Sequence, residues 1–112
     1  MSEENKRIAR RYHKLNPEDV EEILAPDFIG RHNETGFTWN REEHIQFWTA
    51  HRDVEDIIHK QIAEGEWVAT RFTRNWTFGG QYHEMEMMHF KRFEDSKIAE
   101  VWEYFDQRHL AG

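Results

Sequence analysis

The feature that most constrains this chain is a change in hydrophobic periodicity near Asp56. Before it, apolar residues recur every three to four positions, as in amphipathic helices; after it, they alternate with polar residues, as in half-buried strands. Four alternating runs follow one another, separated by the short segments AEGE, GGQ and EDSK. Such runs joined by tight turns predict an antiparallel meander. Helices first and sheet second indicate an α+β fold in which the helices cover one sheet face.

The N-terminal half predicts three helices and one extended segment. Residues 3–15 form an amphipathic pattern, and Asn16-Pro17-Glu18-Asp19 is typical of an N-cap followed by proline at the first helical position. This second helix is short and should end before Pro26. The segment at residues 27–33, DFIGRHN, predicts an extended stretch, and a capping box at Asn40 predicts the start of a third helix.

Length and charge limit the class of protein. With 112 residues the chain is long enough for a single domain, spanning residues 1–112, with one modest core. Its formal net charge of −7, with no basic patch to offset it, argues against nucleic acid and membrane surfaces as partners. There is no cysteine for a disulfide framework, and no apolar run resembles a signal peptide or a membrane span. We therefore expect a cytoplasmic protein.

The turns also predict which residues face one another. If Glu64-Gly65, Gly79-Gly80 and Asp95-Ser96 are two-residue loops, the strand register follows by counting outward from them. One sheet face then collects apolar and aromatic side chains with a few polar groups among them: Ile57, His59, Val68, Thr70, Phe72, Arg74, Trp76, His83, Met85, Met87, His89, Phe93, Ile98, Trp102, Tyr104 and Asp106. That composition is typical of a ligand pocket.

The same register assigns neighbours to individual residues. It places Met85 opposite Asp106, with His83 on the diagonal, and His89 opposite Trp102. The opposite face collects mostly charged and polar residues, Glu103 among them, diluted with Met88, Phe90 and Val101. Lys91 lies opposite Glu100, which predicts a cross-strand ion pair of small energetic weight.

Two segments carry a resemblance to a known family. IAEGEWVATRFT and MMHFKRFEDSKIAEVWEYFD resemble the SnoaL-like family of the NTF2-like superfamily, whose members have a cystatin-like α+β cone. The turn that is usually DGK in that family is Asp95-Ser96-Lys97 here. The resemblance implies N-terminal helices packed on a curved antiparallel sheet that encloses a deep pocket. It also implies a homodimer that pairs through the convex sheet face.

The resemblance implies roles for individual residues. Asp106 matches the acid/base aspartate at the end of the last strand in SnoaL-type polyketide cyclases. His32 occupies the place of the general base in the related ketosteroid isomerases. Tyr12 matches the tyrosine of their oxyanion hole, whereas Met87 and His89 stand where the second, acidic member would be expected.

The residue chemistry supports a site but leaves alternatives open. Burial among aromatic rings would raise the pKa of Asp106 and suit it to proton transfer, or the group could reach solvent at the strand end. His32 and His89 serve either as its catalytic partners or as satisfied core histidines. An inward Arg74 needs a partner, either Asp106 or an acidic or carbonyl-bearing ligand, unless it extends to the rim. The predicted substrate-binding residues are Tyr12, His59, Phe72, Arg74, Trp76, His83, Met87, Trp102 and Tyr104.

The functional prediction follows from these assignments. His32, His59 and His89 have no metal-ligand spacing signature, so we predict neither a metal nor another cofactor. We expect a small-molecule pocket protein acting as an acid/base enzyme of cyclase, isomerase or dehydratase (lyase) type on a hydrophobic or aromatic carbonyl compound. The alternative is a non-catalytic ligand-binding or assembly module of the same fold.

Overall fold

The computed structural model describes residues 2–14, 16–51 and 53–106. Within them lie three α-helices and six strands: α1 (Ser2–Tyr12), α2 (Val20–Ile23), α3 (Arg41–Ala50), β1 (Leu24–His32), β2 (Thr38–Asn40), β3 (Glu55–Glu64), β4 (Trp67–Phe78), β5 (Gln81–Glu94) and β6 (Lys97–Phe105). A 3₁₀ turn at Pro17–Asp19 precedes α2. No helix among the described residues is long and apolar enough to cross a bilayer.

The six strands form one curved sheet in the order β2-β1-β6-β5-β4-β3. The predicted meander is confirmed as β3 to β6, and helices α1 and α3 pack on the sheet to give the predicted α+β fold. The sheet is not wholly antiparallel, because β1 lies beside β6 and runs parallel to it. Pairing β1 with β6 requires the whole meander as the crossover, and local turn signals carry no information about such a contact.

The helix boundaries follow the local signals in the sequence. The capping box at Asn40 is present, with Asn40 Oδ1 accepting from the Glu43 amide and the Glu43 side chain accepting from the Asn40 amide. Helix α2 ends at Ile23, before Pro26, as predicted. Helix α1 ends at Tyr12, and the predicted end at residue 15 lies outside the described residues.

An apolar core fills one end of the concave face. It consists of residues from α1, α2 and the central strands: Ala9, Tyr12, Val20, Ile23, Leu24, Phe28, Val68, Phe93, Ile98 and Val101. The helical spacing of Ala9 and Tyr12 on α1 turns both side chains toward the sheet. This packing closes one end of the cone, and polar side chains begin where the core ends.

Two of the three predicted hairpin loops are confirmed. Phe78 pairs with Gln81 around Gly79-Gly80, and Glu94 pairs with Lys97 around Asp95-Ser96. All four loop residues have positive φ, which suits the twist of a two-residue hairpin. The first loop is Gly65-Glu66, one residue later than predicted, because Glu64 pairs with Trp67. The predicted β4–β5 register is confirmed throughout, including Phe72 opposite Met87.

A bulge at His59 overturns the predicted faces at the start of β3. The register shifts between Ile58 and Lys60, so Asp56 pairs with Arg74 and Ile58 with Phe72. An extra residue on one strand reverses the alternation beyond it. The predicted inward positions of Ile57 and His59 are therefore wrong, and Asp56 shares the concave face with Arg74 instead.

A second bulge, at Ala99, has the same effect on β6. Phe93 pairs with Ile98, but Arg92 pairs with Glu100, so Ala99 has no partner across the β5–β6 pair. From there on the side chains of β6 exchange faces. His89 lies opposite Glu103 and Met87 opposite Phe105, which makes the predicted Met85–Asp106 and His89–Trp102 pairs wrong.

Candidate functional site

Two adjoining cavities open on the concave face beyond the core. The inner cavity is about 180 Å³ and the outer cavity about 500 Å³, and both are bounded by a largely apolar wall with a few polar side chains in it. Four residues line both: His32, Phe47, Arg74 and Glu103. Together the cavities form one site with a polar boundary between a smaller chamber and a larger one.

A histidine–carboxylate pair lies at that boundary. His32 ends β1, and Glu103 is its partner on the neighbouring parallel strand β6. His32 Nε2 lies 2.7 Å from Glu103 Oε1, with side-chain exposures of 30% and 7%. No described residue forms a hydrogen bond with the second ring nitrogen of His32, Nδ1. The pair therefore joins a buried carboxylate to an imidazole with one nitrogen available to a ligand.

Arg74 joins Glu103 to a second buried carboxylate. Its Nε and Nη2 donate to Asp56 Oδ1 and Oδ2 at 2.8 and 2.9 Å, and its Nη1 lies 3.6 Å from Glu103 Oε2. The guanidinium also lies over the ring of Trp48, 5.2 Å from its centroid. The bulge at His59 makes this bidentate pair possible, because it turns Asp56 toward the concave face.

A chain of buried side chains, which we call the Lys91 network, connects Asp56 to Glu103 beneath the cavity floor. Lys91 Nζ lies 2.7 Å from His13 Nε2 and 3.2 Å from His89 Nδ1. His13 Nδ1 lies 2.7 Å from Asp56 Oδ2, and His89 Nε2 lies 2.8 Å from Glu103 Oε2. The chain is therefore Asp56–His13–Lys91–His89–Glu103, with a carboxylate at each end.

The chemistry of the network assigns its tautomers. An amine nitrogen carries at least two protons in either charge state, so Lys91 can donate to both imidazoles. His13 then keeps its proton on Nδ1 and His89 on Nε2, each facing a carboxylate. Burial, followed by the charge of Lys91, lowers the pKa of His13 well below its ordinary value and that of His89 to about 4. Both imidazoles are neutral donors near pH 7.

The two carboxylates stay ionised despite their burial. Burial would raise the pKa of Asp56, but hydrogen bonds from Arg74 and His13 outweigh it and hold the pKa well below its ordinary value. Burial likewise opposes ionisation of Glu103, and bonds from His32 and His89 lower its pKa well below the usual range. Burial lowers the pKa of Lys91. The cavity floor is thus a fixed anionic centre with its compensating donors in place.

Several predicted site residues do line the cavities. Tyr12 lines the inner one, His32 and Arg74 line both, and Trp76 and Met87 line the outer one. Phe72 and His89 lie under the floor, with their rings 4.6 Å apart. His83 lies opposite Trp76 with the two rings stacked at 5.4 Å.

Other predicted residues lie on the opposite face, as the bulges require. His59 is exposed there, with Nε2 2.7 Å from Thr73 Oγ1. Trp102 and Tyr104 line a shallow convex groove with Trp67 and Phe90. Their predicted places in the pocket wall are wrong. Asp106 directly follows β6, and its catalytic role stays a prediction without the predicted neighbours.

The predicted Lys91–Glu100 ion pair is also wrong. Lys91 is fully buried and lies opposite Val101, whereas Glu100 lies between Arg31 and Arg92, at 3.0 and 3.2 Å. The bulge at Ala99 shifts the register and separates Lys91 from Glu100.

The residues of the site that were not predicted include His13, His44, Asp56, Lys91 and Glu103. One signal for Glu103 was available, because Ala99, Val101 and Phe105 make the other parity of β6 apolar as well, with Glu103 as its single acid. His44 shares a face of α3 with Trp48, four residues later, and both are buried. No group of three His, Asp or Glu side chains within the described ranges is arranged to hold a metal ion.

Comparison with solved structures identifies the same fold in several proteins. A SnoaL-like polyketide cyclase candidate from Jannaschia sp. CCS1 has a TM-score of 0.81 at 14% identity, covering 98% of this chain and 90% of its own. An NTF2-like protein of unknown function from Burkholderia pseudomallei K96243 has a TM-score of 0.80 at 22% identity, covering 98% and 95%. IdmH from Streptomyces antibioticus, provisionally described as a polyketide cyclase, has a TM-score of 0.70 at 25% identity, covering 88% and 86%.

The family comparison is the decisive one. No curated protein matches the chain. The family model for SnoaL-like polyketide cyclases matches residues 5–111, nearly the full length, and so includes every element that builds the two cavities. The cone, the concave site and this match agree: the chain belongs to the SnoaL-like polyketide cyclase family.

Proposed function

We propose that this protein is an acid/base enzyme that removes a proton from the carbon next to a carbonyl group in a small hydrophobic substrate. The observation that carries the proposal is the His32–Glu103 pair, at 2.7 Å, on the boundary of the two cavities. A buried carboxylate bonded to one imidazole nitrogen orients the ring and stabilises its protonated form, which makes the other nitrogen an effective base. Cyclisation, isomerisation and dehydration can all begin with this step.

In the proposed step His32 Nδ1 takes the proton from the substrate carbon. The electron pair of the broken C–H bond forms the carbon–carbon double bond of an enolate, and the carbonyl π pair moves to oxygen. Glu103 stays ionised, because the donors around it lower its pKa, and it stabilises the imidazolium. Arg74 and His89 hold the Glu103 carboxylate in place, so both act as positioning residues. Transfer of the proton from His32 to another atom of the substrate completes the cycle. In this proposal protein side chains perform every proton transfer.

The cavity walls favour an aromatic or otherwise apolar substrate. Phe37, Trp39, Phe47 and Trp48 line the inner cavity, and Trp76, Phe78, Met85 and Met87 line the outer one. Aromatic and methionine side chains make an adaptable apolar surface around the few polar groups that orient a ligand. Membership of the SnoaL-like polyketide cyclase family supports a polyketide-like carbonyl compound as the natural substrate.

Hydrogen–deuterium exchange tests the proposal. In D₂O, 1-indanone should lose its α-protons faster with the protein than without it, as followed by proton NMR. His32→Gln should reduce the catalysed rate by about 100-fold or more, the usual contribution of a positioned base, and Glu103→Gln by a smaller factor. Asp106→Asn should stay within about twofold of wild type on this assignment. A larger loss with Asp106→Asn than with His32→Gln would return the principal role to Asp106.

A binding module is the second candidate. Glu103 already has partners in His32, His89 and Arg74, an arrangement that a purely structural carboxylate would also show. Tight binding of aromatic ketones with no acceleration of exchange would favour this candidate over the enzyme.

We also propose that the chain forms a homodimer through its convex face. The groove lined by Trp67, Phe90, Trp102 and Tyr104 is an aromatic surface of the kind enriched at interfaces. Phe90→Glu should shift the sedimentation coefficient from dimer to monomer, whereas Phe78→Glu, at an exposed hairpin end, should leave it unchanged. A wild-type monomer at micromolar concentration would contradict this proposal.

A further inference from the structure

The inner cavity contains a histidine that the proposed proton transfer does not use. His44, on α3, lines this cavity and is only 2% exposed. Its ring lies against Tyr12 and Phe28, with centroid distances of 5.0 and 5.4 Å. A histidine this deeply buried usually has a partner for each ring nitrogen.

One nitrogen of His44 has a partner that assigns its tautomer. Trp39 Nε1 lies 3.2 Å from His44 Nδ1. An indole nitrogen can only donate, so Nδ1 must accept and Nε2 must carry the proton. Burial, with a smaller contribution from Arg74, lowers the pKa of His44 to about 3, so the ring is neutral near pH 7. His44 is therefore a neutral donor with its N–H on Nε2.

The position of Trp39 is itself determined by the backbone of β1. Gly30 lies under the indole, and a Cβ at that position would come within 2.2 Å of the Trp39 ring. Gly30 is the strand partner of Trp39 across the β1–β2 pair. Because Gly30 has no side chain, the Trp39 indole can lie flat on β1 and contact His44, which is on α3.

The Nε2–H of His44 is buried and has no acceptor among the residues that the structure describes. Across the same cavity wall, the hydroxyl of Tyr12 forms no hydrogen bond with any described residue either. A buried donor without an acceptor is costly, and native proteins seldom keep one without a reason. The unsatisfied Nε2–H of His44 and the Tyr12 hydroxyl lie in neighbouring rings of one small cavity, which indicates a shared acceptor that is not part of the protein.

We propose that His44, with its tautomer set by Trp39, donates a hydrogen bond from Nε2 to the carbonyl oxygen of the ligand in the inner cavity, together with the hydroxyl of Tyr12. A carbonyl oxygen has two lone pairs and can accept both bonds. The inference rests on the proposed function for the location and class of the ligand. It adds an orientation: the carbonyl end occupies the inner cavity, and the apolar remainder extends past His32 into the outer one.

This orientation also serves the proposed chemistry. When His32 removes the neighbouring proton, negative charge develops on the carbonyl oxygen, and donors already aimed at it stabilise that charge. Because both donors are neutral, they add no positive charge beside the imidazolium that His32 becomes. His44 would thus determine which carbonyl compounds react as well as how they lie.

The tautomer is tested first, by long-range ¹H–¹⁵N NMR on the uniformly labelled protein. The expected spectrum of His44 shows a protonated Nε2 and an unprotonated Nδ1 at pH 7. Trp39→Phe removes the indole donor and should allow the proton to populate both nitrogens. A wild-type spectrum with the proton on Nδ1 would overturn the proposal.

The ligand contact is tested with a matched pair of probes, 1-indanone and indane, which differ in the carbonyl group. Wild type should prefer the ketone. His44→Phe should reduce that preference about three- to tenfold, the worth of one neutral hydrogen bond, while His44→Gln, which keeps a donor near Nε2, should retain most of it. His59→Phe, on the exposed opposite face of the sheet, is the control and should keep the full preference.

The outcomes separate this inference from the proposed function. Equal binding of the two probes to wild type, or binding of neither, overturns the role of His44, as does an unchanged preference in His44→Phe with a native melting curve. If His44→Phe does not fold, Trp39→Phe replaces it: a proton shared between both nitrogens of His44 should lower the ketone preference, and an unchanged preference would overturn the proposal. Absence of catalysed α-proton exchange in wild type, with its ketone preference intact, would reject the enzyme while keeping the carbonyl contact.

Discussion

Two polar regions of the concave face differ in how completely their hydrogen bonds are satisfied. In the Lys91 network, each nitrogen of His13 and His89 faces a lysine or a carboxylate within the protein. In the wall of the inner cavity, the Nε2–H of His44 and the hydroxyl of Tyr12 have no partner among the described residues. The first region uses its polar groups to hold the fold, and the second keeps them for a ligand.

This difference shows how one sheet face can hold the fold rigidly and still keep polar groups available to bind a ligand. Satisfied buried networks are cooperative and specify a single arrangement. Unsatisfied donors next to them cost free energy that a ligand can recover on binding. Glu103 lies where the two regions meet, since it accepts from His89 below and from His32 at the cavity surface. Variants of the network should therefore affect stability, and variants of the wall should affect binding.

Removal of the central lysine should give the largest effect. Lys91→Met leaves an acceptor on His13 and another on His89 unsatisfied and removes the donor that joins the two halves of the network. Breaking a buried charged network in this way costs about 3–5 kcal/mol of unfolding free energy. Urea denaturation followed by tryptophan fluorescence measures it, with Lys60→Met at an exposed site as the control. A loss no greater than that of the control would show that the network does not hold the fold.

Acidification should come next. The folded-state pKa of His44 is about 3, below its ordinary value near 6.5, so the unfolded chain binds more protons as the pH falls below 6.5. The stability contributed by neutral His44 is fully present above pH 6.5 and is lost progressively toward pH 3. The loss of unfolding free energy should reach about 2 kcal/mol at pH 5. Urea midpoints from pH 8 to pH 5 test this, and His44→Gln should flatten the curve. An unchanged slope in that variant would contradict a neutral, buried His44.

Arg74→Lys should have a moderate effect on both regions. Lysine keeps the charge but loses the planar, two-bonded contact with Asp56, which should cost about 1–2 kcal/mol. Because Glu103 also loses a neighbour, the rate of 1-indanone exchange should fall together with stability. Arg71→Lys, on the exposed opposite face, is the matched control. An exchange rate equal to wild type would mean that Arg74 does not position Glu103.

The smallest effect on stability is expected from Tyr12→Phe. The hydroxyl has no described protein partner, so its removal should change the unfolding free energy by less than about 0.5 kcal/mol. The same variant should bind 1-indanone about three- to tenfold more weakly. Calorimetric melting and a fluorescence titration give the two numbers. A large loss of stability with unchanged binding would reverse the roles assigned to the two regions.

Much of the fold could be predicted from local patterns. The change of periodicity near Asp56, the capping box at Asn40 and the glycine pair at Gly79-Gly80 each depend on neighbours in the sequence. These signals predicted the α+β layout and the whole β4–β5 register. The parts of the site that follow from them are correctly placed as well, as Arg74 and Met87 show.

The rest of the site depends on two single-residue bulges. His59 and Ala99 each take an unpaired place in a strand whose alternation looks regular, and each exchanges the faces beyond it. Both parities of β6 are rich in apolar residues, so the pattern could not choose between Glu103 and Tyr104 for the pocket. The choice depends on how β6 fits between β5 and β1, and β1 is more than sixty residues away in sequence.

The sequence by itself determined the family, the class of fold and the presence of an apolar pocket with polar groups in it. The hydrophobic periodicity, the turn residues and the motif of the final strand are local properties, so each can be recognised without knowing how the chain packs. The tertiary structure alone decided which acid faces that pocket and which histidines share its floor. The physical reason is that a bulge leaves one strand residue without its pairing, and contacts with distant strands compensate for that loss. The position of a bulge therefore depends on tertiary packing, and the hydrophobic periodicity of the sequence does not reveal it.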